Sequence, residues 1–132
     1  MYKIALLDDD PTWNTAINRF FSKHGFTVET FTEPSSFIAQ APEYDLALID
    51  FYLSSQVGSS SDLNGYAIVR QLKKNLNPCP VLVLVSAFVD MESARLFPEA
   101  DFFLVKDIGL DVILQRSKEL LEGRNAHLAK SV

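Results

Sequence analysis

Four uninterrupted apolar runs, each stopped by a polar or charged residue, leave this chain few ways to fold. The runs are Ile4-Ala5-Leu6-Leu7, Leu46-Ala47-Leu48-Ile49, Val81-Leu82-Val83-Leu84-Val85 and Phe102-Phe103-Leu104-Val105. An apolar run of this length without alternation describes a strand covered on both faces, as in a parallel sheet. The residues that stop the runs are the pair Asp8 and Asp9, then Asp50, Ser86 and Lys106. In an open α/β sheet the carboxyl ends of the strands border one crevice. Three carboxylates, a hydroxyl and an ammonium would therefore meet there. Such a set suits a divalent cation and a phosphoryl group.

The segments between the runs read as helices and one further strand. Asp10 is placed to cap a helix that has Pro11 at its first position. Trp13, Ile17, Phe20 and Phe21 follow at helical spacing, with Gly25 as the stop. Residues 26–31 form a second strand, with Phe26, Val28 and Thr30 alternating against Thr27, Glu29 and Phe31. Pro34 opens a short helix through Phe37 and Ile38, closed before Pro42. A helix over residues 64–76 carries Ile68, Val69 and Leu72, and a short one is expected over 91–96. The last helix presents Val112, Ile113, Leu120 and Leu121 on one face. The tail, residues 123–132, has weak apolar content and is expected to fray or to begin a linker. Repeated strand–helix alternation implies a doubly wound α/β sandwich, formed as a single domain over residues 1–122.

Composition narrows the function classes. At 132 residues and 48% hydrophobic content, the chain has the size and apolar fraction of one folded domain. No apolar run approaches the roughly 18–20 residues needed to cross a bilayer, and the first is too short for a signal peptide. The one cysteine, Cys79, excludes an internal disulfide framework and fits a reducing compartment. A net charge of −5 argues against nucleic-acid binding by this domain. The expectation is a cytoplasmic protein with neither nucleic acid nor membrane as partner.

Taken together, Asp8-Asp9 after the first strand, Asp50 after the third, Ser86-Ala87 after the fourth and Lys106 after the fifth resemble a known pattern. It is that of the receiver domain of bacterial two-component response regulators, and the resemblance extends over roughly residues 2–122. Phe103, three before the lysine, stands where the family usually has a switching aromatic. Leu63-Asn64-Gly65 resembles the turn that opens the family's third helix. The resemblance implies a flavodoxin-like, five-stranded parallel sheet of order 2-1-3-4-5 with helices on both faces.

It also implies roles. Asp50 would accept a phosphoryl group as a mixed anhydride. Asp8, Asp9, Asp50 and the main-chain carbonyl of Tyr52 would hold Mg²⁺, with Mn²⁺ as a substitute. Ser86 and Lys106 would contact the phosphoryl oxygens, and Ser86 and Phe103 would form the switch. Tyr52 and Phe88, two beyond Asp50 and two beyond Ser86, would control the approach of water. The domain would signal and not act as an enzyme, beyond catalysing its own phosphorylation and dephosphorylation. Its partners would be a sensor histidine kinase or phosphotransfer protein and an output domain or protein. Asp101 and Arg116 occupy positions that pair across a symmetric dimer in one receiver subfamily. Exposed pairs contribute only about 0–1 kcal/mol, so a monomer or weak homodimer is expected.

The chain departs from the family pattern in several places. The loop over residues 51–64 is long, and Ser54 and Ser55 stand where a proline is usual. Asp107 replaces the proline after the lysine, so a trans peptide bond is expected there, a cis bond before a non-proline residue costing about 3 kcal/mol. The stretch from Ser86 to Lys106 is slightly short. These departures keep open a receiver-like interaction domain that is never phosphorylated. A second alternative is a haloacid-dehalogenase-like phosphatase using Asp8 and Asp10, since Asp8-Asp9-Asp10-Pro11-Thr12 fits its first motif.

Overall fold

The computed structural model describes residues 2–53, 64–87 and 98–130. The four apolar runs become strands β1 (Lys3–Leu7), β3 (Leu46–Asp50), β4 (Val81–Ser86) and β5 (Phe102–Val105), with β2 (Thr27–Phe31) as the fifth. All pairings are parallel and the order is β2-β1-β3-β4-β5. The helices are α1 (Pro11–Lys23), α2 (Pro34–Gln40), α3 (Gly65–Asn75) and α4 (Leu110–Lys130), with short 3₁₀ turns at Ala41–Glu43 and Lys106–Ile108. The short helix expected over 91–96 lies outside the described residues.

The unbroken apolar runs are explained by two cores. Because side chains alternate along a strand, Ile4, Leu6, Leu46, Leu48, Val83 and Val85 face α1 and α4, where Ile17, Phe21, Ile113 and Leu121 close over them. Ala5, Leu7, Ala47, Ile49, Leu82 and Leu84 face the other way, against Phe37 of α2 and Ile68, Val69 and Leu72 of α3. β2 is an edge strand and shows it. Thr27, Glu29 and Thr30 are exposed and only Phe31 is buried.

Two sequence expectations for the last helix are corrected. Leu114 joins Ile113 and Leu121 in the core, while Val112 is exposed. The helix begins at Leu110, and the stripe at 110, 113, 114, 117 and 121 has the three-and-four spacing that faces the sheet. Ser117 lies buried in that stripe because its hydroxyl donates to the Ile113 carbonyl at 2.8 Å. Secondly, residues 123–130 are helical and continue α4. Arg124 fastens this end by donating from Nη1 to the Asp45 carbonyl at 3.1 Å.

Candidate functional site

The site is assembled where β1, β3, β4 and β5 end. Asp8 follows β1 directly and is buried. Its backbone is held from two sides: its N–H donates to the Phe31 carbonyl at 3.1 Å, and Asn14 Nδ2 of α1 donates to its carbonyl at 2.9 Å. Its Oδ1 accepts from the Asp10 N–H at 3.0 Å. Asp10 itself caps α1, accepting from the N–H groups of Thr12 at 3.0 Å and Trp13 at 3.4 Å. Asp10 is thus engaged by the helix and is not one of the clustered carboxylates.

Asp50 ends β3 and is also buried, with the backbone turning back over it so that the Tyr52 N–H reaches Oδ1 at 3.4 Å. The cluster expected from the sequence forms: Asp8, Asp9 and Asp50 each offer a carboxylate oxygen, all within 4.8 Å of one another. Lys106 reaches in from the end of β5, its Nζ 2.7 Å from Asp8 Oδ2 and 3.9 Å from Asp50 Oδ1. Ser86 is buried at the end of β4, paired in register with Val105, the residue before the lysine. The Lys106–Asp107 bond is trans; the one cis bond among the described residues is Asn77–Pro78.

Electrostatics follow from this crowding. Burial, then the neighbouring Asp8 charge, push the Asp50 carboxyl up to about 7, against the opposing pull of Lys106. Burial likewise raises Asp8, opposed chiefly by Lys106. Asp8 Oδ2 is buried, and its one near polar neighbour among the described residues is the Lys106 ammonium at 2.7 Å. A buried carboxylate oxygen in this condition, beside two more acids, fits a hard divalent cation.

Tyr52 and Phe103 lie at the edge of this cluster. Tyr52 is 58% exposed at the rim, its ring edge-on to Phe51 at 4.8 Å between centroids. Phe103 is half-buried on β5 and packs near Phe51 at 6.3 Å. Phe88 lies outside the described residues.

Three contacts were not read from the sequence. Trp13, assigned to the apolar face of α1, has its ring 5.2 Å from Lys106 Nζ. Asn14 holds the Asp8 carbonyl. Gly65 opens α3 so close to β3 that a Cβ there would sit 2.2 Å from the Asp50 carbonyl oxygen. Only the last had a visible signal, an Asn-Gly pair at a helix start.

Comparison with known proteins agrees with this arrangement. The family model of the response regulator receiver domain matches residues 4–118. The chain is 27% identical to the probable transcriptional regulatory protein SilR of Salmonella typhimurium, over 98% of this chain and 55% of that protein. It is 25% identical to the regulatory protein VanRB of Enterococcus faecalis, over 97% of this chain and 56% of that one. It thus spans about half the length of these curated relatives. Among solved structures, the BeF3-activated DrrB receiver domain superposes with a TM-score of 0.76 at 27% identity, covering 92% of this chain and 98% of that one. A CheY-like receiver domain from Methanospirillum hungatei gives 0.80 at 21% identity over 96% and 98%, a likeness of fold. Neither alternative function finds support in these relatives. With the family's model matched across nearly all of the described sheet and its crevice, the chain belongs to the response regulator receiver domain family, a signalling domain of two-component systems.

Proposed function

We propose that Asp50 is the phosphoacceptor of this receiver, taking its phosphoryl group from the phosphohistidine of a sensor histidine kinase or phosphotransfer protein. The observation that carries this is the meeting of three carboxylates and one ammonium around Asp50 at the strand ends. In the transfer, the N–P bond of the donor breaks and a P–O bond to an Asp50 carboxylate oxygen forms. The imidazole leaves as the neutral base, its proton drawn from solvent. Mg²⁺, or Mn²⁺ in its place, held by Asp8, Asp9, Asp50 and the Tyr52 carbonyl, would supply charge neutralisation for the phosphoryl oxygens. Lys106 shares that task, and the Ser86 hydroxyl donates to one phosphoryl oxygen.

The new anion then biases the surface around β5. Ser86 is drawn toward the phosphoryl group and Phe103 turns into the space it leaves, changing the face offered to an output domain or partner. The relatives that extend beyond the matched region are regulatory proteins, which supports an output of that kind. Water must reach phosphorus opposite the Asp50 oxygen, and in this proposal Tyr52 and Phe88, two beyond Asp50 and two beyond Ser86 in sequence, hinder it and prolong the phosphorylated state. Replacing both, Tyr52→Asn with Phe88→Ala, shortens its lifetime by about an order of magnitude, read as phosphoprotein decay after donor removal. Equal decay rates would remove them from the reaction. Like its family, the domain works in the cytoplasm; no helix among the described residues is long and apolar enough to cross a membrane.

The test of the whole reading is intact mass after incubation with acetyl phosphate and Mg²⁺. A shift of one phosphoryl group, absent in Asp50→Asn and absent with chelator, is expected. An unshifted wild-type mass would mark a receiver that signals without phosphate.

A further inference from the structure

We infer that Trp13 is a positioning residue for Lys106: its indole face holds the ammonium beside Asp8 and lets it pass to the phosphoryl group arriving on Asp50. The inference rests on the phosphoacceptor reading above. In the resting protein the Lys106 ammonium sits 2.7 Å from Asp8 Oδ2, 3.9 Å from Asp50 Oδ1 and 5.2 Å from the centroid of the Trp13 ring. Two of these three neighbours are carboxylates that a divalent cation also wants. When Asp8 turns its charge to the metal, its hold on Lys106 weakens, and a flexible ammonium would otherwise escape to solvent. Among aromatic side chains, indole offers a cation the most attractive face. It attracts without adding a charge for the metal to contend with. It also attracts over its whole face, so the ammonium keeps this contact as it shifts from Asp8 toward Asp50.

The rest of the Trp13 environment agrees. The ring belongs to the first turn of α1, half-buried against the apolar cluster beneath α1 and α4. Its indole N–H is buried and meets no acceptor. An unpaired buried donor is unfavourable, and a leucine or phenylalanine would fill the same place without it. What tryptophan brings to this position is therefore its electron-rich face, and that face is turned to Lys106.

Trp13 is the only tryptophan in the chain, so growth on fluorinated tryptophans alters this ring alone. Fluorine withdraws electron density and leaves shape almost unchanged. Two quantities are read across the unfluorinated, monofluorinated and tetrafluorinated proteins. One is the phosphorylation rate with acetyl phosphate and Mg²⁺. The other, in metal-free protein, is the NMR shift of the Lys106 ε-methylene protons, assigned by their loss in Lys106→Arg. In unmodified protein these protons are expected upfield of the other lysines, shielded by the ring, and Trp13→Leu returns them to the common position. The rate should fall stepwise with fluorination, reaching about tenfold in the tetrafluoro protein, equivalent to about 1.4 kcal/mol. Trp13→Phe should retain more of the rate than Trp13→Leu. A fluorination series with one common rate, or Lys106 protons that never feel the ring, would overturn the inference. Failure of the phosphoacceptor reading looks different: the unmodified protein itself would then take up no phosphoryl group.

Discussion

The metal-free fold resists ionisation of Asp50, and this has a measurable sign. Its carboxyl is pushed up to about 7 by burial and by Asp8, from an ordinary value of 3.8. Between those two values the folded state binds a proton that the unfolded state has released. The contribution of this group to stability is therefore fully present below about pH 4 and is lost as pH rises through about 7. Asp50→Asn has no such loss. In chelator, the variant should gain on wild type as pH rises from 4 to 8, by about 1–3 kcal/mol at the upper end, measured by thermal or urea unfolding. Saturating Mg²⁺ should close the gap, because it binds the folded wild type and not the unfolded chain. A gap that is constant across this pH range would mean that Asp50 is comfortably ionised without metal. At this scale the clustering of Asp8, Asp9, Asp50 and Lys106 was legible because these residues stand where apolar runs end. The contacts of Trp13 and Asn14 were not, because helical spacing assigns a residue to a face and says nothing of what lies opposite it.

At the level of elements, the site depends on how closely α3 approaches the end of β3. Gly65 donates its N–H to the Phe51 carbonyl at 2.9 Å, and Asn64 caps the helix by accepting from the Ala67 N–H at 2.9 Å. No side chain fits between them: a Cβ at 65 would stand 2.2 Å from one Asp50 backbone atom and 2.9 Å from another. Relief requires moving the strand end that carries the proposed phosphoacceptor. Gly65→Ala should cost about 1–3 kcal/mol in unfolding free energy and weaken Mg²⁺ binding, followed by Trp13 fluorescence. A variant that binds Mg²⁺ as wild type would show that α3 can retreat without disturbing Asp50. Strand positions and their two-sided burial were plain in the sequence because burial on both faces leaves no polar residue within a run. The face of α4 was misjudged at its first turn alone, since Val112 and Leu114 are both apolar and flank Ile113, while Leu120 and Leu121 lie on the expected face. The helical reading of 123–130 was missed because Arg124 secures it through Asp45, a partner distant in sequence.

For the molecule as a whole, the charges that could join two copies are already engaged within one. Asp101 pairs with Lys73 at 2.8 Å and accepts from the Leu82 N–H at 2.8 Å, and Arg116 pairs with Glu119 at 2.9 Å. Breaking these for intermolecular partners returns little, as exposed ion pairs contribute about 0–1 kcal/mol. Light scattering of the unphosphorylated domain at micromolar concentration should give a monomer. A stable dimer that Arg116→Glu dissociates would contradict this. The central claim, that the crevice at the strand ends exists to phosphorylate one particular carboxylate, is tested most directly by finding the modified atom. Protein treated with acetyl phosphate and Mg²⁺ is reduced with borohydride, which converts an aspartyl phosphate to homoserine, and its peptides are sequenced by mass spectrometry. Reduction confined to position 50 is the expected result; reduction at Asp8 or Asp9, or at no residue, would contradict the account.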